Sequence, residues 1–384
     1  MFAEFGELHY NILMKIDYLT WYKNLEKALH NAPKSYQLQS SAVAEPLELM
    51  RKDLESFAAD FEHLMKVPNS WGHPALIESI GDRYRLAPEN IAPTIGVSNG
   101  IYLTCRALLE PGDSAIIESP GYEPLEAAAD FIGAKIDFIK RRPFDYAIDP
   151  DELADKISSS TKLIIISNLH NPSGAFIGNE QLLDLLEAAQ SRNPHIKIIV
   201  DEVYRDLVPD IGPPAAALDD TFISLNSLTK VYGLGALHCG WIIADTETIS
   251  RIRQLQVLVE GSGVRLIEAL SAFIIENLEK YLNRSLEILS QNRAIARQLI
   301  EPLINSNVIK GKIPAHGCVY FPKIEGVADS EKLIDFLAKR HNLFVVPGRF
   351  FGEPSHIRIG LGGETEKFET SLSIFADVIR NYMK

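Results

Sequence analysis

Between residues 90 and 245 the chain alternates two hydrophobic periods. Short apolar runs at 114–119, 162–167, 196–203, 222–226 and 239–244, with an alternating segment at 135–140, have the length and composition of strands. The stretches at 122–132, 149–158 and 179–190 repeat apolar positions at helical spacing. Residues 91–110 read as a turn followed by a helix, closed by the Pro111-Gly112-Asp113 corner. Short buried strands alternating with helices predict an α/β fold, a large domain whose mostly parallel sheet is flanked by helices. After Thr246 two long helical stretches lead away. Residues 285–384 then read as helix, strand (317–321), helix, strand (343–346), strand (356–361) and helix, a smaller α+β C-terminal domain. The expected division is 46–284 for the large domain and 285–384 for the small one. Residues 1–45, poorly patterned, are expected to form an N-terminal arm or part of the small domain.

In a sheet of this kind ligands sit beyond the carboxyl ends of the strands. Three polar groups fall at those ends: Asn171-Pro172-Ser173-Gly174, Asp201-Glu202-Val203-Tyr204, and Ser227-Leu228-Thr229-Lys230. Taken singly, they are an ordinary turn, a strand end and a solvated lysine. Together they supply what a lysine that forms a Schiff base needs: a ring-nitrogen partner, a ring-hydroxyl partner and phosphate donors.

Composition narrows the field. The 384 residues are 46% hydrophobic and 23% charged, ordinary for a globular chain with a large core. Net charge is −13, with no basic block or aromatic-interleaved basic stripe, which argues against nucleic acid as a ligand. Cys105, Cys239 and Cys318 are scattered without metal-ligand spacing and read as reduced thiols of a cytoplasmic protein. The start of the chain lacks a basic, apolar signal pattern, and no apolar run is long enough to span a bilayer, so no membrane association is expected.

Over residues 70–365 the set resembles the fold type I enzymes that use pyridoxal 5′-phosphate (PLP), in particular the class I/II aminotransferases. The resemblance implies that Lys230 carries the cofactor as a Schiff base and later moves the substrate Cα proton. It implies that Asp201 keeps the pyridine nitrogen protonated, and that Asn171 and Tyr204 donate to the ring oxygen. Tyr122, in Ser119-Pro120-Gly121-Tyr122, would stack on the ring. Ser227, with Val97, Ser98 and Asn99 at a helix start, would bind the phosphate. Arg358 would clamp the substrate α-carboxylate, with Asn171 beside it. Members of the family are usually homodimers acting on amino acids, with sites at the subunit boundary.

Three departures stand out. Where many members place a phosphate-binding arginine, eight residues after the lysine, this chain has His238. A phosphate-binding tyrosine is missing from 66–71, where Trp71 is the aromatic candidate for a shared site. The stretch Gln39-Ser40-Ser41-Ala42-Val43-Ala44-Glu45-Pro46 replaces the usual Gly-Pro-Asp-like turn. It resembles the corresponding stretch of capreomycidine synthase-like cyclases, which act on hydroxylated arginine; Ser41, Ser40 and Glu45 would then face a guanidinium group.

The favoured reading is a PLP-dependent cyclodehydratase. After Cα deprotonation to a quinonoid, the electron sink acidifies Cβ, a side-chain hydroxyl is lost, and a guanidine nitrogen adds back to close a ring. The alternative is an amino acid aminotransferase, in which the same intermediate is reprotonated on the cofactor and a 2-oxo acid accepts the amino group. A non-catalytic regulator that kept the fold is disfavoured, because no basic DNA-binding segment accompanies it.

Overall fold

The computed structural model describes residues 16–30, 34–68, 70–261 and 263–382. The opening residues read above for a targeting signal, and Asn69, lie outside them. In chain order the first elements are α1 (Asp17–His30), β1 (Tyr36–Gln37), α2 (Leu47–Met65), α3 (Pro74–Tyr84), β2 (Ile91–Ile95) and α4 (Gly96–Leu108). There follow β3 (Ser114–Ser119), α5 (Glu123–Ile132), β4 (Lys135–Lys140), α6 (Pro150–Lys156), β5 (Thr161–Ser167), α7 (Asn179–Arg192), β6 (Lys197–Asp201), β7 (Phe222–Ser227) and β8 (Cys239–Ile243). The helices α8 (Thr246–Val259), α9 (Arg265–Ile275) and α10 (Glu279–Asn305) come next. The C-terminal part holds β9 (Ile309–Lys310), β10 (Val319–Tyr320), β11 (Lys323–Ile324), α11 (Glu331–His341), β12 (Leu343–Phe344), β13 (Val346–Pro347), β14 (Ile357–Gly360) and α12 (Thr365–Tyr382).

The main sheet has seven strands in the order β2-β8-β7-β6-β5-β3-β4. All neighbours are parallel except the two pairs made by β8. The apolar runs follow from burial on both faces. Leu163, Ile165, Ile199, Ile223 and Leu225 pack with Ile101, Leu125 and Ile249, from α4, α5 and α8. The intervening Ile164, Ile166, Ile198, Val200 and Phe222 pack with Leu153, Leu182 and Leu186, from α6 and α7. Period-two alternation thus splits each strand between two helix layers.

One expectation was wrong. Residues 91–95 are a strand, β2, and not a turn. Pro93 misled the pattern: it cannot donate to a ladder, and β2 tolerates it because it is an edge strand paired only with β8, Pro93 lying opposite Trp241.

In the C-terminal part β14 lies between β10 and β13, and β11 pairs with β9. The 27-residue α10 contains the boundary expected after residue 284, so an unbroken helix joins the two regions. Residues 36–44 run along this part. Tyr36 pairs with Leu343, the Gly360 N–H donates to Leu38 O (2.6 Å), and the Ala44 N–H donates to Gly362 O (2.7 Å). On its other side the strap reaches the sheet, where the Val43 N–H donates to the carbonyl of Lys230 (3.0 Å).

Candidate active site

Asp201 is the last residue of β6 and only 5% exposed. Its Oδ1 accepts the Val203 N–H at 3.2 Å, and among the described residues no cation pairs with it. Burial pushes its pKa up to about 7, against the Val203 hydrogen bond and the more distant Lys230 charge. A buried carboxylate with no cationic partner among the described residues suits a protonated ring nitrogen.

Lys230 follows β7 on a loop and is partly buried. Burial, and then the charge of Arg358, lowers the pKa of its amine. The amine Nζ lies 3.4 Å from Ser41 Oγ. The Ser41 carbonyl accepts Tyr204 Oη at 2.9 Å and Cys318 Sγ at 3.3 Å. Tyr204 is therefore at the site as expected, with its proton donated to Ser41 in this state. To donate to a ring oxygen the hydroxyl must leave that carbonyl.

A cradle forms where β7, β8 and α4 meet. Ser227, 1% exposed, is in register with Gly240. A Cβ on Gly240 would come within 2.9 Å of the Gly96 carbonyl carbon, so glycine is what lets β8 pass the start of α4. Gly96 itself has φ +74°. Beyond it, Val97, Ser98 and Asn99 form the first turn of a 13-residue helix, whose N–H groups favour an anion. The Asn99 side chain folds back to accept the Ile95 N–H (3.3 Å). His238 is exposed, and a Cβ on Gly96 would lie 4.0 Å from its Nδ1, so its ring borders the cradle. Tyr122 precedes α5, and Ser98 lies close enough to its hydroxyl to oppose slightly the rise in its pKa that burial causes.

Arg358, on β14, is fully buried without an acidic partner among the described residues. It donates to Asn171 Oδ1 (3.2 Å), Tyr18 Oη (2.9 Å) and the Gln39 carbonyl (3.0 Å), while its Nε has no partner. A guanidinium held this way suits a carboxylate. With its oxygen turned to Arg358, Asn171 keeps its NH₂ for another acceptor.

Two supports escaped the sequence reading. Glu118 and Arg141 form a buried ion pair at 2.6 Å. Glu118 also accepts the Ser167 N–H and hydroxyl, and Ser167 Oγ in turn accepts the Asn171 N–H (3.1 Å). The pair thereby fixes the Asn171 turn. Helix α1 is the second support: Tyr18 reaches Arg358, and Tyr18 packs edge-on to Tyr122 with ring centres 5.9 Å apart. The aromatic start of α1 was the available signal, at 17–22.

Glu45 and Trp71 are not brought to the site within this chain. The Glu45 side chain is exposed, and its carbonyl accepts a bond from Arg284. Trp71 is 47% exposed beside Pro93 and Gln256. Ser40 bonds the backbone of Ala42, not a substrate pocket.

The donor set fits PLP: an unpaired buried carboxylate for the ring nitrogen, an amine of lowered pKa for the aldehyde, a helix start between glycines for the phosphate, and an unpaired guanidinium for the substrate carboxylate. The model of the family "Aminotransferase class I and II" matches residues 33–375. The chain belongs to this family. It is a PLP-dependent enzyme. Its relatives in this family include capreomycidine synthase of Streptomyces vinaceus, 29% identical over 82% of this chain and 81% of that one. An aspartate aminotransferase of Pyrococcus horikoshii is 27% identical over 78% and 79%. Among solved structures, a PLP-dependent aminotransferase from Streptococcus suis superposes with TM-score 0.84, at 26% identity, over 94% of this chain and 98% of that one.

When bound, the cofactor supplies the electron sink for the pair left on the substrate Cα. This chain's residues do the rest. Asp201 would hold the ring nitrogen's proton, Lys230 would take and return the carbon-bound proton, and Arg358 would fix the carboxylate. Ser227 and the α4 start would anchor the phosphate.

Proposed function

We propose that this enzyme is a cyclodehydratase that converts a hydroxylated L-arginine into a cyclic guanidine amino acid. The observation that carries the reading is the hydroxyl of Ser41, 3.4 Å from Lys230 Nζ, in the stretch that departs from ordinary aminotransferases. Loss of a hydroxyl needs an acid near the moving proton, and this segment provides a hydroxyl there. The likeness to capreomycidine synthase supports the same reading. For the guanidinium, Glu26 replaces the expected Glu45. It lies one turn after Tyr22 and two after Tyr18, which reaches Arg358, on the same face of α1, and among the described residues it pairs with Lys23 (2.8 Å) on the surface.

The second reading is an amino acid aminotransferase, favoured by the likeness to aspartate aminotransferase. The two differ in what the cofactor becomes. With hydroxylated arginine and no 2-oxo acid, a cyclodehydratase keeps its visible absorbance band through many turnovers. A band that bleaches after one equivalent, and returns on adding a 2-oxo acid, would make the enzyme an aminotransferase.

We also assign a homodimer and a cytoplasmic location. Supporting the dimer, Trp71, Val257, Leu258, Val259, Val264 and Leu266 are large apolar side chains from 45% to 82% exposed. Supporting the location, all three cysteines are free, and no helix of the described residues is long and apolar enough to cross a membrane.

A further inference from the structure

We infer that the Ser41 hydroxyl is a proton relay for Lys230, passing the proton that Lys230 takes from substrate carbon to the departing side-chain oxygen. The inference rests on the cyclodehydratase reading above. Ser41 is 8% exposed, and its Oγ is the hydrogen-bond partner of Lys230 Nζ among the described residues. Its backbone is held independently of that side chain. Tyr204 and Cys318 both donate to its carbonyl. Two residues on, the Val43 N–H donates to the carbonyl of Lys230 itself, and the Ala44 carbonyl takes Arg284 Nη1 at 2.6 Å. The strap therefore fixes the hydroxyl against the amine from both sides.

The neighbouring groups are committed elsewhere. With the cofactor bound, Tyr204 would turn its hydroxyl to the ring oxygen, and the Cys318 thiol donates a hydrogen bond to the Ser41 carbonyl, its pKa pushed by burial up to about 12. Arg358 does not release a proton at any working pH. Asp201 accepts the Val203 N–H and would be engaged by the ring nitrogen. A hydroxyl can accept and donate at once, so Ser41 can receive one proton while handing on another.

The step balances. Lys230 takes a proton from the carbon next to the one bearing the hydroxyl. The pair left behind forms the C=C bond as the C–O bond breaks, its electrons going to oxygen. That oxygen takes the Ser41 proton and leaves as water, and Ser41 takes the proton held on Lys230. Amine and hydroxyl end as they began, and no oxidant or acceptor is consumed.

The test compares wild type, Ser41→Ala and Ser41→Thr, each loaded with PLP in D₂O. NMR follows exchange of the Cα hydrogen, and mass spectrometry follows water loss from 3- and 4-hydroxy-L-arginine. In Ser41→Ala, Cα exchange should persist while water loss falls roughly 100-fold, and Ser41→Thr should recover it. Without substrate, the pH midpoint of the cofactor's visible band should fall in Ser41→Ala, because the protonated nitrogen loses an acceptor. Water loss at the wild-type rate in Ser41→Ala overturns the relay and leaves the cyclodehydratase standing. Exchange and water loss falling together, unrescued by threonine, reduces Ser41 to a packing role and overturns it too. A wild type that exchanges the Cα hydrogen but loses no water from either substrate removes the cyclodehydratase reading, and the relay with it.

Discussion

Asp201 sits in a medium that disfavours its own charge. Its folded-state pKa, about 7, lies above the ordinary 3.8. For a group whose pKa rises on folding, the stabilising contribution is complete below the unfolded pKa and is lost as pH rises through the folded one. In the cofactor-free protein Asp201→Asn should therefore raise the melting temperature at pH 8, by the equivalent of roughly 1–4 kcal/mol, with the difference vanishing near pH 4. With PLP bound the sign should reverse, since the carboxylate then has its cation; calorimetry with and without cofactor reads both. At Glu26 the expectation concerns substrate. Glu26→Gln should raise KM for hydroxylated arginine about tenfold with little change in kcat, and leave KM for an uncharged amino acid unmoved. Lys230, Asp201 and Asn171 could be grouped from the sequence because each ends or follows a strand of one sheet, whereas Arg358, inside β14, rested on the family resemblance alone. The Glu118–Arg141 pair was not legible in the sequence: the partners are 23 residues apart, one on β3 and one just past the end of its neighbour β4, and only the folded sheet brings them together. Glu45 was misassigned because proximity to Ser41 in sequence says nothing about which way an exposed side chain points.

At the scale of elements, α1 is attached by a few specific contacts. Glu123, in the first turn of α5, accepts the N–H groups of Tyr18 and Leu19 at 2.9 and 3.1 Å, capping α1 with a charge. Tyr18 then packs among Phe350 and Phe351. Glu123→Ala should cost about 1–2 kcal/mol of α1 docking. Hydrogen exchange should rise across residues 17–30 and stay unchanged in β5 and β6, and KM should rise as Tyr18 and Glu26 lose their places. Protection of α1 equal to wild type would sink that account. The strands of the central sheet were readable to within a few residues, since burial on both faces leaves a continuous apolar run. The exception was β2, whose proline is an edge-strand feature. The two-residue strands β1, β9 and β11 carry too little pattern to be read from sequence; long-range pairing alone defines them.

At the scale of the molecule, the two-sided sheet, the C-terminal layer and the strap of residues 36–44 converge on Lys230. The fold class was legible in the alternation of strands and helices. The strap was not, because its course depends on hydrogen bonds to residues more than 180 positions away. The exposed apolar residues at the end of α8 lead to an expectation about assembly. Leu258, 82% exposed, should be buried between subunits, so Leu258→Asp should turn a dimer into a monomer by light scattering and lower activity. A wild-type monomer, or a variant that stays dimeric, would contradict this. The central claim is that the enzyme removes water from a hydroxylated arginine without an amino acceptor. Mass spectrometry of the product formed from hydroxylated L-arginine and PLP-loaded protein, with and without a 2-oxo acid, tests it directly. The account predicts a product lighter than substrate by one water, formed equally in both samples and lacking a keto group. A keto acid that appears only when the 2-oxo acid is present would contradict it.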